Sequence, residues 1–266
     1  MNPAPIGIFD SGIGGLTVTR AIFDRLPGES TIYFGDTARV PYGPKSPDTV
    51  RRYSLEILEW MLRQGVKLVV VACNTSTAHA LDVLRANSPV PVIGVIEPGA
   101  RAAIGASRGG TIGVIGTVGT IASGAYGRAI RAISPGAVVV EQACPMFVPL
   151  VEEGWFDHPA TELVAREYLA RLRQAGVDTL VLGCTHYPLL KPLLARVMGP
   201  EVRLIDSAEE TAMAVAETLG SSGQQAPPGA AVTHRFVVSD DEARFLAVGS
   251  RFIGKQLAKA EVVPLG

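Results

Sequence analysis

Apolar residues in this chain gather into short unbroken runs instead of alternating with polar ones. The runs are Ile6–Phe9, Thr31–Phe34, Leu68–Val71, Val92–Val95, Thr111–Ile115, Thr179–Leu182 and Arg203–Ile205, with a later one at Arg235–Val238. Strands that are apolar at every position are buried on both faces, so the pattern predicts an α/β fold of mostly parallel sheets flanked by helices. The segments between the runs carry helical periodicity. One helix is predicted from Ser46-Pro47-Asp48, a cap followed by proline at the first helical position, with Val50, Tyr53, Ile57, Leu58, Met61 and Leu62 on one face before Gly65. Another is predicted from Asp157-His158-Pro159 to Gly176, with Leu163, Val164, Tyr168, Leu169 and Leu172 on its apolar face.

The chain also resembles itself. Lys67–Thr75 aligns with Asp178–His186, Ile6–Gly12 with Ile112–Val118 and, more weakly, Val95–Pro98 with Leu204–Ser207, all at nearly one offset. This predicts two similar, pseudo-symmetric domains: residues 1–97 plus 208–266, carrying Cys73, and residues 98–207, carrying Cys184. Gly220–Gly229 reads as an exposed connection, followed by a strand at 235–238 and a helix from Asp240. This tail has no counterpart in the first repeat, so it is expected to return to the first domain.

Each repeat brings one cysteine to the end of an apolar run, where open α/β sheets bind ligands. If the two domains face each other, two thiols flank one carbon. One then removes a proton while the other returns one, which is cofactor-free inversion of a stereocentre. Beside the thiols stand Asn74-Thr75 and Thr185-His186, suited to binding carboxylates and equally suited to capping the next helix. The imidazole of His186, two residues from Cys184, is placed to help ionise that thiol. Asp10-Ser11-Gly12-Ile13-Gly14-Gly15 offers backbone N–H groups at a helix start, for an anion, with Asp10 as proton relay or ammonium partner. A nucleotide fingerprint is the weaker reading of that turn, because Thr17 stands where a third glycine belongs. Arg39–Pro44 is a loop carrying Tyr42, a site element or a plain connector. Thr117-Val118-Gly119-Thr120 is an anion-holding loop or a helix start.

Composition narrows the class. Lys and Arg number 24 against 25 Asp and Glu, a net charge of −1, so no basic field for nucleic acid exists and a small ligand is expected. No stretch is long and apolar enough for a membrane helix and no signal-peptide pattern opens the chain, so a cytoplasmic protein is expected. Three cysteines suit a reducing compartment better than a disulfide framework, and Cys144 reads as a small buried hydrophobe. Zinc at Cys73, Cys184 and His186 is disfavoured, because no C-x-x-C or H-E-x-x-H pattern supports it.

Together, Ile8–Leu16, Tyr33–Asp36, Pro41–Gly43, Ala72–Thr75 and Gly183–Pro188 resemble the bacterial glutamate racemases of the aspartate/glutamate racemase superfamily. The resemblance covers nearly the whole chain. It implies a cofactor-independent enzyme interconverting L- and D-glutamate for peptidoglycan, with its site in the cleft between two domains, and a homodimer is the expected assembly. It implies that Cys73 takes the α-proton of D-glutamate and Cys184 that of L-glutamate, with Asp10, His186 and Glu152 assisting. Asp10, Ser11, Tyr42, Gly43, Asn74, Thr75, Thr185 and His186 are the implied substrate-binding residues, with Thr117 and Thr120 as further contacts. The long N-terminal extension of some members has no counterpart before the first motif, so regulation through it is not expected. Aspartate, a hydantoin or a maleate-like diacid remains an alternative substrate, and an amino-acid binding protein or a cysteine hydrolase an alternative class.

Overall fold

The computed structural model describes residues 1–265, and its strands form two all-parallel sheets. The first contains β1 (Ile6–Asp10), β2 (Thr31–Gly35), β3 (Leu68–Val71), β4 (Val92–Gly94), β9 (His234–Val238) and β10 (Glu261–Val262), in the order β10-β9-β2-β1-β3-β4. The second contains β5 (Thr111–Gly116), β6 (Val138–Ala143), β7 (Val177–Gly183) and β8 (Arg203–Asp206), in the order β6-β5-β7-β8. The central strands β1, β2 and β3 are buried at every residue, as unbroken apolar runs require. Edge strand β6 is exposed or half-buried throughout and mixes Glu141 and Gln142 into its valines, so its sequence does not stand out as a strand.

Helices α1 (Leu16–Arg25), α2 (Pro47–Arg63), α3 (Asn74–Ala86) and α4 (Ile96–Ala106) alternate with the first strands. Ser46 caps α2, its hydroxyl accepting from the Thr49 N–H. That helix buries Val50, Ile57, Leu58, Trp60 and Met61 on the sheet, with the Trp60 ring 5.0 Å from Phe34. Fully burying each such side chain is worth roughly 1.5–3 kcal/mol, which fixes the helix far more firmly than its own backbone bonds. In the second half come α5 (Val118–Ser123), α6 (Ala125–Ile133), α7 (Phe147–Glu152), α8 (Pro159–Gln174) and α9 (Lys191–Met198). The predicted α8 begins after its cap His158, whose ring Nδ1 accepts from the Ala160 N–H.

The last helices are α10 (Ser207–Ser221) and α11 (Glu242–Ile253). Strand β9 pairs with β2, so the tail rejoins the first sheet. The expected connection at Gly220–Gly229 starts instead as the last turn of α10, where the Ser222 hydroxyl donates to the Thr218 carbonyl. It is also tied down. The Ala226 N–H donates to Glu29, which forms a buried ion pair with Lys67 at 2.5 Å. One apolar cluster runs unbroken from Ile8, Leu16 and Val70 of the first sheet to Leu180, Leu182 and Tyr187 of the second. The two halves therefore meet across a shared core, with the carboxyl ends of β1, β3 and β7 turned toward one another. Among the described residues no helix is long and apolar enough to cross a membrane.

Candidate active site

A cavity of about 60 Å³ lies where the two halves meet, walled by Ser11, Tyr42, Gly43, Cys73, Asn74, Thr75, Thr117, Glu152, Cys184, Thr185 and His186. At roughly 10–15 Å³ for each water position, it is a tight space. A larger groove of about 710 Å³ runs between α1, α10 and α11, with neither cysteine on its wall. Chemistry, and not size, singles out the smaller cavity. Of the sequence-predicted residues, Asp10 and Thr120 stand behind the wall. Thr120 exchanges hydroxyl hydrogen bonds with Thr75 (3.2 Å) and Thr117 (3.0 Å). The Asp10 Oδ2 accepts from the Gly12 N–H at 3.0 Å, while the buried Oδ1 has no partner.

The local chain explains why the thiols sit here. Cys73 follows β3 as the N-cap of α3, and its Sγ accepts from the Ser76 N–H at 3.4 Å and donates to Ser11 Oγ at 3.6 Å. Asn74 and Thr75 are thus the first residues of α3, and the cap is the cysteine itself. Cys184 follows β7 differently. No α-helix starts beside it: Tyr187–Leu190 is a 3-10 turn and α9 begins only at Lys191. A helix N-terminus therefore stands beside Cys73 alone, because Pro188 and Pro192 shape a different exit from the second strand.

In place of a helix, Cys184 has an imidazole. His186 Nδ1 lies 3.9 Å from Cys184 Sγ, and His186 Nε2 lies 3.0 Å from Glu152 Oε1. Glycine is demanded at position 14 by Thr185 and this ring together, since a Cβ there would stand 2.2 Å from Thr185 Oγ1 and 2.5 Å from His186 Nδ1. Burial pushes the Cys73 thiol up to about 11, and the neighbouring Asp10 carboxylate adds to the rise. Burial opposes a charge on His186, yet its bonds to Cys184 and Glu152 outweigh that and push the imidazole up to about 10. Burial likewise works against ionised Glu152, but His186 and Arg244 hold its carboxyl below the ordinary value. Burial raises the Asp10 carboxyl, opposed by His186 and by backbone N–H groups.

The two halves are thus chemically unequal: a thiol kept neutral among Ser11, Ser76 and Asp10, and a thiol beside a protonated imidazole. No group of three or more His, Cys, Asp or Glu that could hold a metal occurs among the described residues.

Several contributors escaped the sequence reading. Tyr126 of α6 is fully buried and its hydroxyl donates to Asn74 Oδ1 at 2.7 Å, which leaves the Asn74 Nδ2 donor unpaired. Buried Asp36 accepts from the Tyr42 hydroxyl, from Arg39 Nε at 2.7 Å and from Ser239 Oγ at 2.9 Å, fixing the loop that carries Tyr42 and Gly43. Arg244 of α11 donates to Glu152 Oε2 at 2.9 Å. Its one sequence hint is a cation in the first turn of a helix, where the dipole disfavours it.

Residues 6–215 match the family model described as Asp/Glu/Hydantoin racemase. Over 98% of this chain, and 96% of the relative, the sequence is 57% identical to a protein named glutamate racemase from Geobacter metallireducens. Among solved structures, glutamate racemase isoform RacE1 from Bacillus anthracis superposes with a TM-score of 0.94 at 39% identity, covering 100% of this chain and 98% of that one. Glutamate racemase from Francisella tularensis, solved in complex with D-glutamate, superposes with a TM-score of 0.93 at 36% identity, covering 99% and 98%.

Proposed function

The chain belongs to the Asp/Glu/hydantoin racemase family, and within it to the glutamate racemases, and on that premise we propose that it interconverts L- and D-glutamate by two opposed cysteines. The observation that carries this reading is the pair of buried thiols, 5% and 6% exposed, on the wall of one small cavity with unequal partners. The α-hydrogen of an amino acid is a far weaker acid than a thiol, so most of the barrier has to fall through a pre-organised, water-poor setting for the developing charge. Ser11, Asn74, Thr75, Thr185 and the Tyr42-Gly43 backbone supply that setting by holding the carboxylates. Asn74 offers its free Nδ2, with Thr117 and Thr120 steadying Thr75.

With L-glutamate bound, Cys184, beside the His186–Glu152 pair, is the base, and Cys73 is the acid. L-Glutamate then loses its α-proton to Cys184 and gains one on the opposite face from Cys73. Turnover leaves the two sulfurs in the reverse protonation state, which suits D-glutamate, with Asp10 serving Cys73. The product supplies peptidoglycan synthesis from the cytoplasm. In this proposal the site lies between a domain of residues 1–97 plus 208–266 and one of residues 98–207, and the working assembly is a homodimer.

The test is direct. Purified protein given L-glutamate in deuterated water, with no cofactor, forms D-glutamate deuterated at the α-carbon before the remaining L-glutamate is labelled. Equal early labelling of both enantiomers would mean one base reaching both faces, and the two-thiol scheme would fall. A second expectation concerns Tyr126→Phe, which removes the hydroxyl that orients the Asn74 amide. Steady-state rates should show KM raised about three- to tenfold, the weight of one hydrogen bond, with kcat changed less. An unchanged KM would remove Asn74 from carboxylate binding.

A further inference from the structure

The hold on the Glu152–His186 pair comes from a part of the chain that no cysteine motif touches. Glu152 ends α7, which belongs with the second sheet. Helix α11 follows β9 of the first sheet and packs on α1. From the first turn of α11, Arg244 Nη2 reaches Glu152 Oε2 at 2.9 Å, while its own backbone N–H is fixed by Asp241 Oδ1 at 2.9 Å. The same helix makes two more contacts here. Arg251 Nη1 donates to the Glu152 carbonyl at 3.4 Å, and the Phe252 ring meets the His186 imidazole edge-on at 5.1 Å. Each carboxylate oxygen of Glu152 thus has one partner: His186 on Oε1 and Arg244 on Oε2.

We propose that Arg244 is a positioning residue for racemisation: it holds the Glu152 carboxylate in the orientation that engages His186, and so makes the Cys184 half of the site depend on the carboxyl-terminal helix lying closed across it. The inference rests on the reading of Cys184 as a proton-transfer group. The charged side chains facing Glu152 are His186 from the turn after β7, and Arg244 and Arg251 from α11. Arg251 bonds the Glu152 backbone, so Arg244 alone grips the carboxylate from outside the second half of the chain. Without it, Oε2 is released, the carboxylate is free to swing from His186, and one of the cations keeping it ionised is gone. The Arg244 side chain is 52% exposed, so its replacement leaves folding intact.

The experiment compares wild type, Arg244→Gln and Arg244→Lys for glutamate racemisation in both directions across the pH range of activity, with thermal melting as a check on folding. The glutamine variant is expected to lose about tenfold in kcat/KM, the scale of a displaced catalytic group, with the acid limb of its pH profile moved to higher pH. The lysine variant should keep the wild-type limb and most of the rate. A glutamine variant within twofold of wild type and with the same acid limb would overturn the proposal. So would equal losses in both variants with the limb unmoved, since that is what a purely structural contact would give. An inactive wild type would instead overturn the racemase reading on which this one stands.

Discussion

Cys73→Ala and Cys184→Ala each abolish racemisation in both directions, with kcat/KM falling by about four orders of magnitude, the upper end of what a positioned acid or base contributes. The symmetry of the loss is thermodynamic. Enantiomers have equal free energies in water, so their equilibrium constant is unity, and kcat/KM must be the same in both directions for any variant. A one-sided loss of racemisation is therefore impossible, whichever thiol is removed. The thiols are told apart by exchange, which carries no such constraint. With Cys184 alone remaining, residual exchange of the α-hydrogen with deuterated water should appear in L-glutamate without inversion. With Cys73 alone it should appear in D-glutamate. Ordinary turnover in either variant, or exchange into both enantiomers, would sink the assignment of one thiol to each face.

His186→Gln carries the second largest effect. The amide reaches toward the Nε2 position and keeps a donor for Glu152, but it has neither the charge nor the exchangeable proton beside Cys184. A loss of about a hundredfold in kcat is expected, the lower end for general acid–base assistance. The same substitution should change how stability depends on pH. The imidazole is raised from the ordinary 6.5 to about 10 in the folded protein. A group whose folded pKa is raised contributes stability that is complete below the unfolded value and fades as pH climbs to the folded one. The wild-type melting temperature should thus decline between about pH 6.5 and about pH 10 through this group, and the decline should be shallower in His186→Gln. Parallel melting curves for the two proteins across that window would show that the imidazolium is not held by Cys184 and Glu152.

What the sequence displays depends on where each residue stands in the fold. The runs that became β1, β2, β3, β5 and β7 are legible because burial on both faces leaves no room for polar residues. Strand β6 is not, because an edge position tolerates Glu141 and Gln142, and the two-residue β10 is too short to leave a pattern. The caps at Ser46 and ahead of α8 are legible because proline at the first helical position marks them. The turn after Cys184 misleads, because its small polar residues resemble those after Cys73 yet lead into a 3-10 turn.

At the site, Ser11, Asn74, Thr75, Thr185 and His186 announce themselves as polar residues following apolar strands, and Tyr42 and Gly43 by lying in a loop bounded by proline. Tyr126, Asp36 and Arg244 do not. Tyr126 looks like any core aromatic on a helix face, and only its contact with Asn74, a residue on another helix of the first half, reveals its part. Asp36 looks like a loop carboxylate until Ser239 and Tyr42 are seen on it.

The sequence by itself determined the α/β class, the internal duplication and the presence of a thiol at the end of one strand in each half. All three follow from local periodicity and from matching short segments, which need no knowledge of what lies nearby in space. Only the tertiary structure decided that the two thiols are unequal, one sheltered by Ser11, Ser76 and Asp10, the other chained through His186 and Glu152 to Arg244. A proton's preferred seat is set by burial and by charges a few ångströms away. Those neighbours come from distant parts of the chain, and only folding brings them within reach.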